Sequence, residues 1–387
     1  MKGEIDLKRF VNKYEYIIIA PLLLTAFCIH LYATSGGLIW NSDSFHYWSA
    51  SRSFQSDFVL KAYDGGVYTF WPPLFPIIMS FFSEKAYYIF HTICLLSSLL
   101  FIYWVVKLKS SRNLAIPTLA IFSVSVYPYL VSSFLWSETI FILLFYSGLY
   151  FYIKWRGEQS KIQFLFIATI LLSLMCLQRN AGVFIILGLT IQSIGTFLKE
   201  RKWHYLLKMI FIHLVIITPN VVWNINQKLR FPEEFYFYSS PPIIDFFSNL
   251  KTFASELIRI FIPYSDLIPP FLLITAGTVI LSVPLLSNIN NILSTIFLTY
   301  IVSFLLLPKF ELSETGRFLA PVIPLLILQL TTISKRLYEK LISRKMKMVL
   351  SALIVILLIY NITRTTKNVA QWNYRSKHQQ KSAKIFY

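Results

Sequence analysis

The chain is 387 residues long, 56% hydrophobic and only 14% charged, with a formal charge of +18. Soluble domains carry about a quarter charged residues, so the composition excludes a water-soluble surface and reads as a polytopic membrane protein. The Lys and Arg surplus falls mainly between apolar runs, where it serves topology and contact with an anionic lipid bilayer, and no nucleic-acid partner is expected.

Lys2, Lys8, Arg9 and Lys13 precede the first apolar run, 16–33. That run is long for the apolar region of a signal peptide and no convincing small-x-small site follows it, so it reads as a retained first span. Crossing a core of ~30 Å takes about 20 apolar residues. Further spans are expected at 86–106, 114–131, 136–152, 162–177, 181–198, 206–223, 267–285, 292–307, 318–333 and 348–360. The expected architecture is therefore all-α and polytopic, with about eleven transmembrane helices over residues 1–362 and a short basic tail, 363–387.

With the N-terminus cytoplasmic, the inner segments 1–15, 107–112, 154–161, 199–208 and 334–347 are basic, and 287–291 is not. Most acids then lie outside: Asp43, Asp57, Asp64, Glu138, Glu233, Glu234, Asp245, Asp266, Glu311 and Glu314. An odd span count leaves the basic tail outside as well. Two outer segments are large, 34–85 and 224–266, and no internal repeat of the transporter kind is found.

The first large loop opens with Asn41-Ser-Asp-Ser-Phe-His-Tyr-Trp48. Asn41, Ser42 or Asp43 can cap a helix, and Phe45 and Trp48 share one face of it while Asp43 and Tyr47 share another. This suits a short interfacial helix. Asp43 is then either a simple cap or a carboxylate standing just above the membrane. Next, Tyr68-Thr-Phe-Trp-Pro-Pro-Leu-Phe-Pro76 forms a stiff extended elbow around Pro72 and Pro73. Residues 74–82 are too few to span and read as a second interfacial helix.

Charges sit at three more outer span ends: Glu138 after Trp136-Ser137, Arg179 beside Asn180, and Glu314-Thr-Gly-Arg317. Ionisable groups at membrane depth usually face a cavity or a partner, although an arginine there can simply snorkel. All fall on the side of Asp43, and Arg binds phosphate bidentately, which suits a lipid-phosphate ligand. Cys28, Cys94 and Cys176 lie in apolar runs without metal or disulfide spacing. The histidines are scattered, so no zinc site is expected, and no nucleotide-binding or nucleophile-elbow motif occurs.

Asp43-Ser-x-x-Tyr47 just after the first span resembles the signature of the GT-C superfamily of membrane glycosyltransferases. Trp71-Pro-Pro-Leu-Phe-Pro76 is similar to the Pro-Pro element of its polyprenyl-phosphate-sugar branch, which includes protein O-mannosyltransferases and the aminoarabinose transferase of lipid A. Ser137-Glu138-Thr139, Arg179-Asn180-x-Gly182 and Glu314-x-x-Arg317-Phe318 with Pro321 and Pro324 also resemble elements of that branch.

The resemblance implies transfer of a sugar from a polyprenyl-phosphate donor to a glycan, lipid or protein acceptor. The reaction would be inverting, on the outward face of a bacterial inner membrane. Asp43 would be general base and Arg317 and Arg179 would hold the donor phosphate. Tyr47, His46, Asp64, Glu138, Glu314, Pro72 and Pro73 would support them. Where many relatives have two adjacent acids, this chain has Asp43-Ser44. Where they carry a soluble C-terminal domain, it has one more span and the basic tail. Both departures leave the use of a divalent metal and the acceptor class open. Two other readings remain: a transporter or flippase of lipid-linked sugars, and a non-catalytic subunit that presents lipid.

Overall fold

The computed structural model describes residues 15–69, 71–157, 161–231, 242–261, 268–288, 291–307, 312–341 and 343–386. At a few helix ends, Glu314 included, it describes the backbone alone. These residues form sixteen helices and two isolated backbone bridges, Ile39 to Phe134 and Lys61 to Val67.

The first helix, α1 (Glu15–Ala33), leads into a short pair, α2 (Ser42–Asp57) and α3 (Leu74–Ser80), and the chain re-enters the bundle as α4 (Glu84–Lys109). Next come α5 (Arg112–Val124), α6 (Val126–Ser133), α7 (Glu138–Gly157), α8 (Ile162–Gln178), α9 (Gly182–Glu200) and α10 (Trp203–Arg230). The second half holds α11 (Pro242–Ile258), α12 (Pro270–Asn288), α13 (Ile292–Leu305), α14 (Leu312–Leu319), α15 (Ile323–Lys340) and the 43-residue α16 (Arg344–Phe386).

Among the described residues, five helices are long and apolar enough to cross a membrane: α1, α4, α9, α10 and the Lys345–Gln379 part of α16. A sixth is made by α5 and α6 together, bent by 53°. The chain is an integral, multi-pass membrane protein. Against the eleven spans expected, α8, the Pro270–Ile280 part of α12, and α13 are apolar but shorter. Helix α7 is rich in tyrosine and mostly buried within the bundle, so lipid does not dictate its composition. Large apolar side chains at the start of α16, such as Val349, Val355, Ile356 and Ile359, are more than half exposed, a surface suited to hydrocarbon and not to water.

The bend between α5 and α6 has a local cause. The ring of Pro128 would meet the carbonyl four residues back, at Val124, where α5 ends. The freed Val124 carbonyl accepts a hydrogen bond from Thr365 Oγ1 of α16 at 2.9 Å. Residues 363–386, expected as a separate tail, thus continue the last helix and pack along α1, α5 and α6.

The bundle has two chemically distinct faces. One carries Asp43, Glu138 and Arg179. On the opposite face Glu15 accepts from Lys107 Nζ at 2.7 Å and Tyr103 OH at 3.0 Å, and also pairs with Arg112.

Candidate active site

Helix α2 starts with a capping box. Asn41 Oδ1 accepts from the Ser44 amide at 3.1 Å, and Ser44 Oγ accepts from the Asn41 amide at 3.1 Å. Asn41 is therefore the cap, and the cap alternative for Asp43 is excluded. With the helix end satisfied by its neighbours, the Asp43 carboxylate turns to another partner, Nη1 of Arg317, at 2.6 Å.

Arg317 sits on the short helix α14 and is 2% exposed. Besides Asp43 it pairs through Nε with Glu138, which is 1% exposed and opens α7. Glu138 also pairs with Arg179, which follows α8 and donates from Nη1 to Ser137 Oγ at 3.1 Å. The Arg317 guanidinium lies 4.4 Å from the centre of the Trp136 ring, and that of Arg179 lies 5.4 Å from Phe318. Two carboxylates and two guanidiniums so alternate from Asp43 to Arg179, joined from four separate helix ends. Burying such a set costs desolvation free energy that pairing only partly returns, so stability alone is a weak reason for it.

The turn that carries Arg317 is held by buried tyrosines. Tyr300 OH donates to the Phe318 carbonyl at 2.9 Å, and Tyr146 OH donates to the Pro321 carbonyl at 2.8 Å. Behind α14, Glu256 of α11 accepts from Tyr127 OH at 3.1 Å and from Arg364 of α16 at 3.0 Å.

Aromatic rings wall the Asp43 side. Tyr47 packs edge-on against Phe75 at 4.7 Å and against Trp71 at 5.4 Å, which sets the Pro72-Pro73 elbow on top of α2. Burial pushes the Tyr47 phenol up to about 12, so it remains a hydrogen-bond donor at neutral pH. His46 lies between Tyr63 and Trp71, at 4.7 Å and 5.2 Å, and its buried Nδ1 has no hydrogen-bond partner among the described residues.

The structure thus brings together Asp43, Glu138, Arg179 and Arg317, with Tyr47, His46, Pro72 and Pro73 around them. Asp64 stands apart: its Oδ1 accepts from the Gly66 amide at 3.0 Å in an exposed turn where Gly65 has φ +84°. Glu314 lies on α14, and its side chain is outside the described residues.

Sequence reasoning assigned no role to Tyr68. It is 1% exposed, and its hydroxyl has no hydrogen-bond partner among the described residues. Burial raises its phenol well above the ordinary range, and the charges of Asp43 and Arg179 are close enough to act on it as well. Its place three residues before Trp71-Pro72 was the available signal.

No cluster of three or more His, Cys, Asp or Glu suited to a metal ion occurs among the described residues. Asp43 and Glu138 each face a guanidinium instead. That donor set fits a bound anion better than a cation.

In fold, the helical membrane bundle resembles solved membrane proteins of the GT-C type. Among solved structures it is similar to ArnT from Cupriavidus metallidurans bound to undecaprenyl phosphate. The TM-score is 0.56 at 14% identity, over 95% of this chain and 75% of that one. Apo ArnT from the same organism gives 0.57 at 12% identity, over 95% and 78%. The oligosaccharyltransferase AglB from Archaeoglobus fulgidus, in complex with an inhibitory peptide and a dolichol-phosphate, gives 0.52 at 12% identity. That match covers 95% of this chain and 56% of AglB. No family model matches the sequence, and no curated protein matches it. At these identities the likeness is one of fold.

Proposed function

We propose that the chain is a glycosyltransferase that moves a sugar from a polyprenyl-phosphate donor to an acceptor hydroxyl. The face that carries Asp43 would be the non-cytoplasmic side of a bacterial inner membrane. The supporting observation is the chain of ion pairs from Asp43 through Arg317 and Glu138 to Arg179. It sets one carboxylate at the rim of the cluster, beside the buried Arg317 and near the half-buried Arg179.

In this reading the donor phosphate takes hydrogen bonds from Arg317 and Arg179, competing with Asp43 for the Arg317 fork. Asp43, released from its partner, accepts the proton of the acceptor hydroxyl while that oxygen attacks the anomeric carbon. The bond between the anomeric carbon and the phosphate oxygen breaks, and the electron pair leaves with the polyprenyl phosphate. Glu138 keeps both guanidiniums charged and oriented throughout, so the stabilising groups need no rearrangement as charge develops. A single displacement with no covalent intermediate inverts the anomeric centre, by analogy with inverting glycosidases. Tyr47 and Tyr68 supply neutral donors beside the carboxylate. The solved relative ArnT was captured with undecaprenyl phosphate, which supports a lipid-phosphate donor.

The test is incubation of purified protein with a panel of radiolabelled polyprenyl-phosphate sugars, following which is consumed. One donor should be consumed by the wild type and released as polyprenyl phosphate. Asp43→Asn should lower turnover ~10²-fold or more while undecaprenyl phosphate still binds. A flippase or a lipid-presenting subunit would consume no donor, and Asp43→Asn would leave its lipid handling unchanged.

A further inference from the structure

Helix α16 reaches the backbone that supports both partners of the Asp43–Arg317 pair. Its Asn373, Ser376 and Gln379 recur every three residues, on one flank of the helix. Gln379 pairs with both backbone groups of Trp40: Oε1 accepts from the amide at 3.0 Å and Nε2 donates to the carbonyl at 2.9 Å. Ser376 Oγ accepts from the Gly36 amide at 3.2 Å. Asn373 Nδ2 donates to Ser35 Oγ at 2.8 Å and to the Tyr32 carbonyl. At Gly36 the approach is so close that a Cβ would stand 2.5 Å from the Ser376 carbonyl oxygen.

Every one of these bonds falls on residues 32–40, the stretch that delivers the chain from α1 to the Asn41 cap and so to Asp43. Further back on α16, Arg364 holds Glu256 at 3.0 Å. A Cβ on Gly316, the residue before Arg317, would lie 3.3 Å from Glu256 Oε1. Bonds to exposed backbone add little net stability one at a time. Their value here is directional, because a loop held at Tyr32, Ser35, Gly36 and Trp40 has little freedom left in where it starts α2.

We propose that Asn373, Ser376 and Gln379 are positioning residues: α16 holds the backbone of residues 32–40 and thereby sets the Asp43 carboxylate against Arg317. The catalytic consequence rests on the glycosyl-transfer reading, whereas the ordering of the segment does not.

Two substitutions approach the same contact from opposite sides. Gln379→Leu keeps the side chain's bulk and removes both bonds to Trp40. Gly36→Ala leaves every side chain of α16 intact and pushes the two backbones apart. Lys377→Ala, at an exposed position on the same helix, is the control. In the full-length protein, backbone amide hydrogen exchange over residues 36–48 should quicken ~10-fold or more in both variants, with α7 and α9 unchanged. With the donor identified by the panel, kcat should fall ~10-fold while donor KM and undecaprenyl phosphate binding stay at the wild-type level. The double variant should be no worse than the poorer single one.

Unchanged exchange over 36–48 in both variants would overturn the proposal. So would faster exchange with wild-type kcat, or an effect confined to KM. If the wild type consumes no donor, the glycosyl-transfer reading fails by itself, and the exchange arm still decides whether α16 orders the Asp43 segment.

Discussion

Asp43 and Arg317 are 274 positions apart in the chain, yet their side chains meet at 2.6 Å. The identity of both residues was legible in the sequence as charge at a span end, but their pairing was not, because nothing local encodes a contact across so many helices. The capping box now makes the Asp43→Asn comparison clean. Asn41 and Ser44 satisfy the helix end without Asp43, so the amide costs α2 nothing there. The Asn side-chain oxygen can still accept from Arg317. What is lost is the proton acceptor, so turnover should drop while folding and lipid binding persist. Asp57→Asn and Asp64→Asn are the controls in the same loop. Asp57 makes a surface pair with Lys61 at 3.4 Å and Asp64 makes a turn, so neither should change turnover beyond a few-fold. Activity retained in Asp43→Asn and abolished in either control would mean that the wrong carboxylate has been assigned. Arg317 behaves differently. Removing it would strand Asp43 and leave Glu138 to Arg179 alone, and breaking a buried pair costs ~3–5 kcal/mol, so Arg317→Ala should express poorly. Arg317→Lys keeps the charge but replaces a planar fork by a point donor. It should fold, and it should weaken undecaprenyl phosphate binding by the ~1.5–3 kcal/mol typical of a charged hydrogen bond. Unchanged affinity in Arg317→Lys would remove Arg317 from the phosphate site.

At the scale of elements, the helices built on strong local signals were legible and those shaped by packing were not. The start of α2 follows from Asn41 to Ser44, and the short α3 from Pro72-Pro73 and the nine or so apolar residues after it. The bend at Ser125 depends on where Pro128 meets Val124, and the sequence reading ran one span straight through it. Helix α14 depends still more on its neighbours. It has 8 residues and carries Arg317, and it is lodged between Tyr300 and Tyr146 on one side and Glu256 on the other. Gly316 allows the close fit: a Cβ there would stand 3.1 Å from Leu130 Cδ2 as well as near Glu256. Gly316→Val should therefore displace α14 and Arg317 with it. A misplacement of a fraction of an ångström near reacting groups is expected to cost ~10-fold or more in turnover. Steady-state kinetics on protein that elutes as a single species would check this, and wild-type turnover in Gly316→Val would show that α14 does not set the Arg317 geometry.

At the scale of the whole molecule, the fold bears on a conflict that charge alone had left. An odd number of spans would strand a basic tail on the face that the distribution of Lys and Arg normally spares. The structure puts that segment on the Asp43 face, with Arg364 paired to Glu256 and residues 373–379 bonded to the first loop. One of its cations, Arg364, is thus engaged within the bundle, which relaxes the penalty that sidedness rules assign to it. Three cysteine positions make this testable in intact cells or spheroplasts with an impermeant thiol reagent. Asp57 and Lys377 are both exposed and lie on one face, and Lys340 is exposed at the end of α15 after the Ile323–Lys340 run back through the bundle. Asp57→Cys and Lys377→Cys should label together from outside, and Lys340→Cys should label only after the membrane is permeabilised. Labelling of Lys340→Cys from outside with Asp57→Cys protected would invert the sidedness and place the reaction in the cytoplasm. Labelling of Asp57→Cys but not Lys377→Cys would mean that α16 does not cross as described, and the contacts from Gln379 to Trp40 would have to be abandoned with it.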